Sequence, residues 1–171
     1  MDFNPDAGEL NDFLGTFQFA SVDEPFELSN GQKLDDGILA YETYGQLNEK
    51  RDNAILVFHA LSGSQHAAGY RESVSRSVDP LWTDECINGW WDGFIGKDKV
   101  IDTSRHFLIC ANYLGGCYGS TGPTSNKPNS EEKYMSSFPW VTMEDLVRSQ
   151  MKLIDSLQIK ELHAVVGASL G

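Results

Sequence analysis

Hydrophobic positions along the chain change their spacing from one segment to the next. Phe17 and Phe19 are one residue apart in GTFQFA, which predicts a strand after an acidic, aperiodic arm over residues 1–15. Asn30-Gly31, inside LSNGQKLDDG, marks a hairpin turn. In ILAYETYGQL, Leu39, Tyr41 and Thr43 alternate with Ala40 and Glu42, predicting a second strand. AILVFHA, residues 54–60, is an unbroken apolar run, as expected of a strand buried on both faces of a parallel sheet. HFLICANYL (106–114) and ELHAVVGAS are two more such runs.

Before the last run the period lengthens. Leu146, Met151, Leu153, Ile154 and Leu157 form an approximate helical stripe. Thr142, three residues before Asp145, gives that helix a capping-box start with Asp in the place of the usual Glu or Gln. Strand, connector, strand, helix, strand predicts one α/β domain over 16–171, with a mostly parallel sheet and right-handed crossovers. The connector GGCYGSTGPTSNKPNSEEKYMSSFP is too long for a simple turn.

Composition narrows the function classes. A formal net charge of −12 disfavours nucleic acid, whose phosphates call for surplus Lys and Arg, and equally disfavours anionic membranes. No apolar run approaches the roughly 18 residues of a membrane span. The start MDFNPDAGELNDF lacks a secretory signal's basic and apolar parts. Cys86, Cys110 and Cys117 are an odd set without paired metal-ligand spacing, which fits a reducing cytoplasm and predicts no metal site. YLGGCYGSTGP lacks a phosphate-loop lysine and the dinucleotide spacing, so no resident cofactor is expected.

The sharpest chemical candidate is Ser169, in Gly167-Ala168-Ser169-Leu170-Gly171 directly after an apolar strand. A nucleophilic serine on a tight strand-to-helix turn needs small flanking residues, and the turn aims the next backbone N–H, from Leu170, at an attacked carbonyl oxygen. The spacing alone also admits a structural turn serine. A second oxyanion donor belongs just after an earlier buried strand; FHALSGSQHAAG occupies that place and makes Leu61 the candidate. Of the histidines, His106 and His163 sit at strand starts and His59 reads as a satisfied core residue. His66 is the candidate for substrate contact. Trp90 and Trp91 are read as core packing before a site wall.

LAYETYGQLN, HALSGSQHAAG, GWWDGFIGKDKVIDTSRHFLICANYLGGCYGSTGP, FPWVTMEDLVRSQ and VVGASLG stand in the order found in the homoserine O-acetyltransferase family. That family is the acyltransferase branch of the α/β-hydrolase fold, and the resemblance covers about residues 16–171. It implies that Ser169 is the acyl-accepting nucleophile, with Leu61 and Leu170 as backbone oxyanion donors. It implies acetyl-CoA as co-substrate, L-homoserine as acceptor and O-acetyl-L-homoserine, bound for methionine synthesis, as product. The triad aspartate and histidine and a substrate-gripping arginine are expected downstream of the nucleophile, which makes this chain an amino-terminal part, inactive alone. A homodimer of the longer enzyme is compatible with the resemblance. Where the family often reads HALTGD, this chain has Ser62 and Ser64, which leaves succinyl-CoA as donor, L-serine as acceptor, or esterase activity as alternatives. An interaction domain without catalysis is the reading from another class.

Overall fold

The computed structural model describes residues 13–70 and 87–171. Its main sheet contains β1 (Phe13–Ala20), β4 (Gly37–Tyr44), β5 (Ala54–Phe58), β6 (Phe107–Ala111) and β7 (Ala164–Gly167). Their spatial order is β1-β4-β6-β5-β7. β1 and β4 are antiparallel to their neighbours, whereas β6, β5 and β7 run parallel. β2 (Phe26–Glu27) and β3 (Lys33–Leu34) form a separate small hairpin, whose turn uses Gly31 at φ +81° as expected from Asn30-Gly31. β1 starts at Phe13, earlier than the expected arm boundary, because Phe13 and Leu14 already pair with Thr43 and Glu42. The remainder of the arm, residues 1–12, lies outside the described residues, as does Cys86.

Alternation along the strands divides the interior into two layers. Leu39, Tyr41, Leu56, Ile109 and Ala111 pack on one face with Phe19, Leu153 and Ile154. Ile55, Val57, Leu108, Cys110 and Tyr44 pack on the other with Ala67, Ala68, Ile95 and the half-buried Trp90 and Trp91. The second layer is covered by loops, and the tryptophans are packing residues there. β4 lies between β1 and β6, so it is buried on both sides; Glu42, alternate to the apolar positions, is fully buried with them.

The helix α1 (Met143–Ser156) covers the first face. Thr142 Oγ1 accepts from Asp145 N, and the Asp145 carboxylate accepts from Thr142 N at 3.0 Å, completing the capping box. The buried face differs from the predicted stripe. Asp145, Ser149, Gln150, Leu153 and Ile154 face inward, while Met151 is 39% exposed. Asp145 turns inward because it also accepts from Ser29 N at 2.8 Å and Ser29 Oγ at 3.0 Å. The helix start is thereby tied to the β2–β3 hairpin.

Candidate active site

β5, β6 and β7 deliver their following loops to one edge of the sheet, the edge at which open α/β sheets bind ligands. The register pairs Phe58 with Gly167, which brings the segments beginning at His59 and Ala168 side by side. Ala168 N donates to Phe58 O at 3.4 Å, and Gly171 N donates back to Ala168 O at 3.2 Å. Between them Ser169 adopts φ +62°, a left-handed conformation rare for a residue with a side chain, and it is exposed. The flanking glycines are sterically required. A Cβ on Gly167 would overlap the Gly171 carbonyl carbon and come within 2.7 Å of its oxygen. A Cβ on Gly171 would stand 2.5 Å from Phe58 Cβ and 2.7 Å from its oxygen. The turn is as tight as the Gly-x-Ser-x-Gly spacing requires.

After β5, Gly63 N donates to Ala60 O at 2.8 Å and closes the turn that carries Leu61, which is 77% exposed. Among the described residues, neither the Leu61 nor the Leu170 N–H is bonded to a protein acceptor.

The four histidines differ in their surroundings. His66 is 1% exposed, with Nδ1 2.9 Å from Glu42 Oε2 and Nε2 3.0 Å from Ile87 O, so it is a buried structural group and not a substrate contact. His59 is buried as expected, its Nδ1 2.7 Å from Ala60 O and its ring centroid 4.1 Å from that of Tyr113. Its Nε2, however, has no partner among the described residues. Burial lowers the His59 pKa, against the opposing pull of the Ala60 carbonyl and the Asn112 amide. The His106 and His163 rings lie 4.8 Å apart, tilted by 36°, just ahead of β6 and β7, at the opposite strand ends from Ser169. Burial, then the charges of His163 and Arg105, lower the His106 pKa.

Sequence reasoning missed a polar network under the Leu61 loop. Tyr44 donates its hydroxyl to Glu42 Oε2 at 2.6 Å and accepts from Ala67 N at 2.8 Å and Ala68 N at 3.2 Å. Burial, followed by the Glu42 charge, pushes the Tyr44 phenol well above its ordinary value. The signal available in the sequence is a glutamate two residues from a tyrosine on a predicted strand.

Among the described residues, no group of three His, Cys, Asp or Glu side chains is arranged to hold a metal, and no helix is long and apolar enough to cross a membrane. Cys110 is buried and Cys117 exposed, both as free thiols. A groove lined by Met151, Ile154, Lys160 and Glu161 lies near the amino end of β7, the far edge from Ser169, and gathers no catalytic constellation.

No protein-family model matches the chain. Homoserine O-acetyltransferase of Methanobrevibacter ruminantium is 47% identical over 88% of this chain and 29% of its own length. Homoserine O-succinyltransferase of Marinomonas sp. is 51% identical over 91% of this chain and 38% of its own length. The chain thus spans less than two-fifths of the length of these curated relatives. Among solved structures, homoserine O-acetyltransferase from Bacillus anthracis superimposes with a TM-score of 0.78 at 34% identity, over 94% of this chain and 40% of that one. Esterase E22 gives 0.77 at 35% identity, over 94% and 41%.

Proposed function

Because the chain is a homologue of the homoserine O-acyltransferases over 88–91% of its length and has the α/β-hydrolase fold, we propose that it carries the nucleophile half of such an enzyme's site. Ser169 is the acyl-accepting nucleophile, acetyl-CoA the donor and the hydroxyl of L-homoserine the acceptor. The observation that carries this reading is the left-handed Ser169, held between two glycines that tolerate no Cβ.

The chemistry proceeds in two displacements. Ser169 Oγ attacks the thioester carbonyl and loses its proton to a base, which this reading assigns to a histidine beyond the described residues. The carbonyl oxygen becomes an oxyanion facing the Leu61 and Leu170 N–H groups. Removal of one such donor typically costs about 3–4 kcal/mol of barrier. Collapse expels the CoA thiolate, which takes a proton, and leaves an acetyl-serine ester. The homoserine hydroxyl then attacks that ester, giving O-acetyl-L-homoserine for methionine synthesis and restoring the serine.

The test uses the protein at its full natural length, incubated with acetyl-CoA or succinyl-CoA, with and without homoserine. Homoserine-dependent CoA release and one acetyl group on a Ser169 peptide are expected, both lost in Ser169→Ala. Full turnover by Ser169→Ala overturns the assignment. Preference for succinyl-CoA, the donor implied by the name of the Marinomonas relative, moves the specificity to the second reading. Hydrolysis indifferent to homoserine moves the activity to an esterase, as esterase E22 is named.

A further inference from the structure

We propose that the buried Glu42–His66 pair, with Tyr44, is a positioning device that fixes the Leu61 N–H for oxyanion binding; the inference rests on the acyl-serine reading above. The Leu61 turn is anchored on both sides. Upstream, β5 continues into His59, whose Nδ1 and backbone carbonyl are engaged by Ala60 O and, at 2.6 Å, the Tyr113 hydroxyl. Downstream, everything from Ser64 to Ala68 is buried. Trp90 Nε1 donates to Ser64 O at 2.9 Å, Trp91 N to Ala67 O at 2.8 Å, and Tyr44 receives Ala67 N and Ala68 N. The Gly63–Ala60 bond leaves Leu61 and Ser62 as the short span between these anchors.

The buried Glu42–His66 pair is the unexpected component. Glu42 and His66 are 0% and 1% exposed, and Glu42 Oε1 has no partner among the described residues. Such a pair is poor value as a stabiliser, since well-packed apolar side chains of equal volume usually do as well or better. It does supply direction. Both His66 nitrogens face oxygen atoms, Nδ1 that of Glu42 Oε2 and Nε2 that of Ile87 O, and contacts at both ring nitrogens fix the orientation of the ring. That orientation, through His66 and the two following amides on Tyr44, locks the loop on strand β4.

The experiment uses the full-length protein with Glu42→Gln, and with Tyr44→Phe as the milder second variant. Acylation by p-nitrophenyl acetate is followed as a burst normalised to titrated serine, beside affinities for CoA and for a phenylboronic acid that fills the oxyanion site. Both variants are expected to slow the burst about 10- to 100-fold and weaken the boronic acid by a similar factor, with CoA affinity unchanged. Equal burst rates per titrated serine, with only a lower melting temperature, assign the network a structural role and overturn the proposal. A parent protein without any Ser169 burst overturns the acyl-serine reading, and this one with it.

Discussion

Ser169 is held in a conformation that its own side chain disfavours, at a cost of about 1–2 kcal/mol for a left-handed residue other than glycine. Ser169→Gly is therefore expected to raise stability by about 1 kcal/mol in urea unfolding while removing the hydroxyl. Gly171→Ala should act in the opposite direction, because its methyl group meets Phe58 Cβ and backbone. A loss of about 1–3 kcal/mol is expected, together with slower acylation. Unchanged urea midpoints in both variants would separate the turn from any stored strain. His59 offers a pH test. Burial holds its folded pKa below the ordinary value near 6.5, so the unfolded chain takes up the proton first. Its contribution is complete above about pH 6.5 and is lost as pH falls through the lower folded value. His59→Asn should flatten that part of the stability profile, read as the urea midpoint between neutral and mildly acidic buffer.

At the scale of the element, α1 shows what the residue pattern conveyed and what it withheld. The capping box was legible because Thr142 and Asp145 are local in sequence, and local bonds need no knowledge of the fold. The inward turn of Ser149 and Gln150 was not, since it depends on the sheet beneath; Gln150 Nε2 reaches Ala111 O at 3.5 Å, at the end of β6. The burial of Glu42 on β4 was hidden for the same reason: alternation indicates a face but not what covers it, and the loop over Glu42 comes from 20 residues and more downstream. For α1, Thr142→Ala is expected to cost about 1 kcal/mol, the usual loss for a cap. Asp145→Ala should cost more, about 1.5–3 kcal/mol, because Ser29 loses its partner as well. Burial alone would raise the Asp145 pKa, but the bonds from Thr142 and Ser29 outweigh it and lower the pKa. That stabilisation is present above about pH 4 and disappears as acid protonates the carboxylate. Equal losses for the two variants would show that the bond to the hairpin adds nothing to the cap.

For the whole molecule, the parallel β6-β5-β7 core agrees with the apolar runs that announced it, and Ser169 lies directly after the last of those runs. Neighbour order was hidden, because pairing between segments about 50 to 110 residues apart leaves no local mark. That order places β7 at one end of the sheet, paired with β5 alone among the described residues, with Val165 59% exposed. Among the described residues the outer edge of β7 carries no partner strand, and an unpaired apolar edge is a template for another strand. The net charge of −12 opposes contact between copies, and salt screens that repulsion over about 10 Å at 0.1 M. Two opposed forces thus set the association of the 171-residue chain, and salt selects between them. Sedimentation velocity should find more dimer and larger species at about 0.5 M salt than at about 0.05 M, where the Debye length is several-fold longer. Val165→Lys places a charge on the exposed strand and should abolish the salt response, the way natural edges are protected. If Val165→Lys associates as readily as the parent, the contact lies elsewhere, and the exposed Trp140 at 82% becomes the next position to change.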